Sequence, residues 1–390
     1  MKLRIAVIFF GFVLTGVVTT LLGPILPSVA VRWNLNDAQA GRLFTTQFVS
    51  AVLGSLVASR VLVRWGAAWT VSSGMLMVAA GVVAVGANSL FAGMIGISVY
   101  GVGLGFALPA TNLLMAELMP EQRVSVLNLL NFSWTVGALA GPLLIASARK
   151  SIGFHAFLVL IAALLVIVGA FELFSLPKTI SEHAPVRRGN LAPGKRVGFA
   201  IVTALFLLAY VGVENGFSGW LSALATRLHV AAPGTIAMMQ SSFWAAILLG
   251  RVLVPFYIRR TTPAKVVWAG LGIAAIGLVI TVTSGTIVML EAGVLLCGIG
   301  LAAIFPTAVA IFVEWYGTGG AGSIVLGVCG VGGAIVPWLV GVVALRSQSL
   351  KAGFLVNLFG ILLALLMFRQ MQKLVGPQCA RAVHDEAAAQ

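Results

Sequence analysis

The chain has 390 residues, 60% of them hydrophobic and 9% charged, with a formal net charge of +14. Soluble domains carry about 25% charged residues, so this composition excludes a water-soluble fold and makes lipid the solvent. The basic excess then reads as a signal of membrane orientation and contact with anionic lipid rather than of nucleic-acid binding.

Stretches that reach the roughly 20 apolar residues needed to span a bilayer occur at 5–31, 38–59, 66–86, 90–118, 124–148, 152–175, 197–226, 234–257, 264–284, 286–313, 320–345 and 350–370. The first follows Lys2 and Arg4, as a signal peptide would, but it is too long for one. Pro24 and Pro27 also interrupt it, so a retained helix is expected. The polar, basic segment 177–196 separates a six-helix bundle, 1–176, from a second one, 197–373, and a polar tail, 374–390, follows. With the N-terminus inside, sixteen of the 24 Lys and Arg residues fall on the inner side and seven on the outer, leaving Arg251 within the membrane. That bias places both termini in the cytoplasm. The three cysteines and four histidines are scattered without metal-ligand spacing, and no nucleophile has a base in view. Free thiols, no metal, no cofactor and no enzyme activity are expected.

The two bundles are copies of one pattern. Gly101-Val-Gly103-Leu-Gly105-Phe-Ala-Leu-Pro109 returns as Gly298-Ile-Gly300-Leu-Ala302-Ala-Ile-Phe-Pro306 at a shift of 197, which also carries Glu117 onto Glu314. At a shift of 196, Gly16, Gly23, Gly54 and Arg64 meet Gly212, Gly219, Gly250 and Arg260; Pro142 meets Pro337 at 195. Parallel repeats in so apolar a chain are how many secondary transporters are built.

Twelve helices in two pseudo-symmetric six-helix repeats, with a central basic loop, resemble the major facilitator superfamily over essentially the whole chain. Within it, Gly16-Val-Val-Thr-Thr20-Leu-Leu-Gly23-Pro24-Ile-Leu-Pro27 and Tyr210-Val-Gly-Val-Glu214-Asn215-Gly-Phe-Ser-Gly-Trp220-Leu are similar to segments of the fucose:proton symporters and bacterial sugar porters. The resemblance implies an all-α membrane protein of the bacterial inner membrane that works by alternating access, with helices 1, 4, 5, 7, 8 and 10 lining the cavity. The chain departs from the pattern at Ala58, where the superfamily's acid between helices 2 and 3 would stand. It departs again at Val18-Thr19-Thr20 and Ala107-Leu108-Pro109, where fucose symporters carry acids. Uniport, or coupling through another group, therefore stays open.

An ionisable residue deep in a membrane costs at least about 2.5–3.5 kcal/mol and so needs a reason. Glu214 lies past the middle of helix 7, with Tyr210, Phe217 and Ser218 on its face by helical spacing. It either receives substrate hydroxyls, binds a proton or sodium ion, or holds helix 7 against a neighbour. Arg251, in helix 8, either binds an anionic substrate and takes part in coupling, or snorkels to the cytoplasmic surface or pairs with helix-end carbonyls. Glu172 and Glu291 stand near helix ends and read as interfacial.

Neutral polar side chains suggest the solute. Asn128, Asn131 and Trp134 recur along helix 5, Gln240 and Trp244 stand on helix 8, and Asn112 on helix 4 joins Asn215 and Trp220 on helix 7. Amides pair with vicinal hydroxyls, and indole faces suit the C–H side of a sugar. The alternative is interhelical bonding, worth about 0.6 kcal/mol per pair. At the cytoplasmic face, Arg64 with Glu117 and Arg260 with Glu314 form repeated acid–base sets, which Arg60, Glu121 and Arg123 extend. They suggest an inner gate, or else two exposed pairs worth about 0–1 kcal/mol. The expected function is monomeric transport of a sugar-like solute. Gly137-Ala-Leu-Ala-Gly141-Pro142 resembles part of an antiporter signature and keeps a drug/proton antiporter open. A non-transporting membrane sensor is the third reading.

Overall fold

The computed structural model describes residues 2–119, 123–175, 191–228, 232–258, 261–316, 325 and 328–375. These form thirteen helices and no strand. In order they are α1 (Lys2–Thr19), α2 (Leu22–Arg32), α3 (Asp37–Val85), α4 (Leu90–Leu118), α5 (Arg123–Ser151), α6 (Phe154–Ser175) and α7 (Pro193–Arg227). There follow α8 (Pro233–Ile258), α9 (Pro263–Thr283), α10 (Ile287–Ala302), α11 (Ile304–Tyr316), α12 (Gly330–Ser347) and α13 (Leu350–Val375). The expected all-α membrane fold is what the chain adopts.

Four of the expected spans are divided or joined differently. The first is broken into α1 and α2 at Thr20–Leu21, because Pro24 and Pro27 have no N–H to return to Thr20 and Gly23. At the end of α1 the carbonyl of Thr19 accepts from the side-chain amide of Gln47 at 2.9 Å. The second and third spans are one 49-residue helical run, α3. A straight helix of that length would be about 74 Å long, far beyond a bilayer of about 30 Å. It doubles back at Gly66, whose φ of 83° only glycine adopts without strain. The tenth span is likewise divided, α10 from α11, at Ala303.

The chain divides into two compact units, Met1–Ala184 with Gly219–Ser241, and Pro185–Ser218 with Ser242–Gln390. In the first, α1 crosses α5 at contact distance: a Cβ on Gly137 would lie 1.9 Å from the Val13 carbonyl oxygen, and one on Gly16 2.1 Å from that of Trp134. In the second, α7 crosses α12 identically: a Cβ on Gly332 would lie 1.9 Å from the Leu208 carbonyl oxygen. Gly137 and Val13 become Gly332 and Leu208 at a shift of 195. The crossing of α3 on α4 through Gly81 and Gly96 returns as α9 on α10 through Gly277 and Gly293. The repeat therefore extends from sequence to backbone packing: small residues stand where helices touch. Large apolar side chains such as Phe91, Phe174, Ile167 and Val288 face outward, as lipid allows.

Candidate functional site

Glu214 is carried by α7 in the second unit, 9% exposed. One turn before it, Tyr210 donates its hydroxyl hydrogen to Glu214 Oε1 at 3.1 Å, as the i, i+4 spacing requires. From α8, Arg251 Nη2 comes to 3.9 Å of the same oxygen. Arg251 thus points to an acid within its own unit rather than snorkelling away. Neither charge stands uncompensated, which is what makes two ionised groups bearable in a membrane. Tyr210 packs its ring on Phe305, centroids 5.8 Å apart, which fixes the phenol below the carboxylate. Further along α7, Phe217 stacks on Phe243 at 5.2 Å and meets Phe354 edge-on at 5.7 Å.

The first unit has no counterpart. At a shift of 196 Glu214 falls on Val18 and Arg251 on Ser55, a buried aliphatic side chain and a hydroxyl that donates to its own helix. The charged centre belongs to one repeat only.

The amides are arranged alike. Asn112, Asn131 and Asn215 each donate Nδ2–H to the carbonyl four residues earlier, at 2.8–2.9 Å. That bond orients the side chain without using its carbonyl oxygen. Asn128 and Asn131 are exposed along α5, while Asn112 and Asn215 are half-buried. Trp134 packs against the core around Ile8, Phe12 and Leu130. Gln240 and Trp220 belong to the first unit, both buried, and Gln240 Oε1 accepts from Ser222 at 3.0 Å, a bond of α8 to α7. Gln47, another of the polar residues of the early helices, accepts from Tyr100 at 2.8 Å while donating to Thr19, so it joins α1, α3 and α4.

Of the proposed gate, Arg60, Arg64 and Glu117 are exposed and Glu314 is half-buried. Among the described residues Arg64 makes no ion pair with Glu117. Arg123 begins α5 and only its backbone is described, and Glu121 and Arg260 lie outside the described residues. A pair that sequence reasoning did not single out joins Arg227, ending α7, to Asp37, beginning α3, through two charge-assisted hydrogen bonds, one of 2.8 Å. Glu172, expected at the interface, is corrected: it is 1% exposed, inside the first unit. Among the described residues no group of His, Cys, Asp and Glu could hold a metal ion.

Compared with known proteins, residues 8–290 match the family model described as Major Facilitator Superfamily. The gentisate transporter of Corynebacterium glutamicum is 22% identical over 379 residues, covering 90% of this chain and 84% of that one. The glucose/mannose transporter GlcP of Bacillus subtilis is 26% identical over 156 residues, 39% of this chain and 37% of that one. The crystal structure of the E. coli fucose:proton symporter FucP (N162A) superposes with a TM-score of 0.62 at 17% identity, covering 95% of this chain and 98% of that one, a likeness of fold.

Proposed function

The chain belongs to the Major Facilitator Superfamily, and from that premise we propose that this membrane transporter carries a small neutral solute, a sugar or polyol, across the bacterial inner membrane by alternating access. The observation that carries the reading is the Tyr210–Glu214–Arg251 cluster. Its two charges offset one another, so it offers strong hydrogen-bonding groups without a net charge to attract an ion. A hydroxyl of the solute would donate to Glu214, and Asn215, Asn112, Asn128 and Asn131 would supply further amide oxygens. Trp220, Trp134 and Gln240 complete the proposed set. The halves 1–176 and 197–373 are the proposed moving bodies, joined by the cytoplasmic segment 177–196, with Arg60, Arg64, Glu117, Glu121, Arg123, Arg260 and Glu314 as the inner gate. Coupling, if a proton drives the cycle, passes through Glu214: protonation would remove the partner of Arg251 and loosen the cluster. GlcP, a glucose/mannose transporter by name, supports a sugar.

The second reading is an aromatic carboxylate. Arg251 favours it, because a substrate carboxylate could take the place of Glu214 on the guanidinium. The gentisate transporter's likeness over most of both chains supports it. Counterflow into proteoliposomes separates the two: labelled hexoses and polyols in one panel, gentisate and related aromatic acids in the other. Counterflow of a neutral sugar alone supports the first reading. Counterflow of aromatic acids alone replaces it with the second.

A further inference from the structure

Glu172 is the second buried acid among the described residues, and nothing in the transport reading uses it. It sits on α6, with a carboxylate oxygen 3.5 Å from where a Cβ on Gly11 of α1 would lie, beside Val168 and Met75. Neither carboxylate oxygen has a hydrogen-bond partner among the described residues. One turn before it, Gly169 lies on the Ser72–Met75 turn of α3. The hydroxyl of Ser72 is also buried and also without a hydrogen-bond partner.

The repeat shows how unusual this is. At a shift of 196, Glu172 falls on Phe368, Ser72 on Trp268 and Gly11 on Leu207. The register is secure, because the buried positions Phe157, Leu158, Ile161, Leu165 and Val168 of α6 fall on Gly353, Phe354, Asn357, Ile361 and Ala364 of α13, all buried. In the second unit that seam is filled with rings: Phe368 meets Phe206 at 5.6 Å and Trp268 at 5.7 Å. In the first unit a carboxyl, a hydroxyl and a glycine occupy the same three places.

We propose that Glu172 is a proton-binding site in the α1–α3–α6 seam of the first unit, carried as the neutral acid and releasing its proton only when the seam opens. Ionised, it would be a buried charge with no partner among the described residues. On α1 the charged side chains are Lys2 and Arg4, both exposed at the inner end. On α3 they are Arg42, Arg60 and Arg64, exposed, and Asp37, paired with Arg227. On α5 Arg149 and Lys150 are exposed at its far end, as is His155 at the start of α6, and of Arg123 only the backbone is described. None is hydrogen-bonded or ion-paired to Glu172. The closed seam therefore binds one more proton than the open one, so a rise in pH favours opening. The site is independent of which solute is carried.

The test uses the full chain in lipid nanodiscs. Hydrogen–deuterium exchange, corrected for its intrinsic pH dependence, is followed in α1, α3 and α6 at pH 6 and pH 8. Exchange in the wild type should rise with pH in that seam, while Glu172→Gln and Glu172→Met should show no such rise. Equal pH dependence in wild type and variants overturns the site. Infrared spectra give a second reading that needs no variant to fold. The wild type should show a neutral-carboxyl C=O band whose hydrogen resists exchange at neutral pH. Absence of that band overturns the proposal.

Discussion

Arg251 on α8 stands 3.9 Å from Glu214 on α7, so these two ionisable residues of the second half of the chain answer one another. Each compensates a charge that alone would be costly in lipid. Arg251→Leu should destabilise the protein by about 2–4 kcal/mol by leaving Glu214 unanswered, and Glu214→Gln with Arg251→Gln should cost less than the two single changes combined. Thermal unfolding in detergent or nanodiscs measures both. Strict additivity would mean that the two side chains do not interact.

Tyr210 holds the same carboxylate through its hydroxyl. Tyr210→Phe removes one donor from a buried charged acceptor, a loss of about 1.5–3 kcal/mol. The fold should survive, because the ring contact with Phe305 remains. Apparent substrate affinity should fall more than expression does, as measured by binding or uptake on the folded fraction.

The helix crossings set the strictest limits on side-chain size. Gly137→Ala and Gly332→Ala would each place a Cβ 1.9 Å from a carbonyl oxygen, a collision that only moving a helix relieves. Both should lose most folded protein in size-exclusion chromatography. Gly141→Ala, one turn along α5 with its nearest atom 3.6 Å away, should behave as wild type. Sensitivity at Gly141 equal to that at Gly137 would contradict this packing.

Asp37 and Arg227 make the opposite case. The Arg227 side chain is 48% exposed, so despite good geometry the pair should be worth only about 0–1 kcal/mol and should weaken with salt. Asp37→Asn should shift thermal unfolding little at high ionic strength. A large loss there would show that the pair is shielded from solvent.

Much of this was legible in the sequence because a bilayer imposes long apolar spans and a duplicated chain repeats its contact glycines. Tyr210 could be placed beside Glu214 from helical spacing alone. Arg251 could not be paired with Glu214, since the two lie on different helices and spacing says nothing of facing. Glu172 was misread for a related reason. On a helix apolar all round, no polar face marks which side is buried, so proximity to the helix end suggested an interface. Setting Glu172 against Phe368 by the repeat was the signal that could have found it. The fold-back of α3 falls where the sequence divides spans 38–59 and 66–86; what spacing does not show is that one residue at positive φ, Gly66, makes the turn.

The most direct measurement is substrate-evoked current on a solid-supported membrane carrying the purified protein, with a hexose panel at pH 6 and pH 8. A current for one neutral sugar, lost in Glu214→Gln while labelled-sugar binding to the folded protein is weakened, is the expected result. Absence of both current and counterflow for every sugar, or transport unchanged in Glu214→Gln, would contradict a sugar site centred on Glu214.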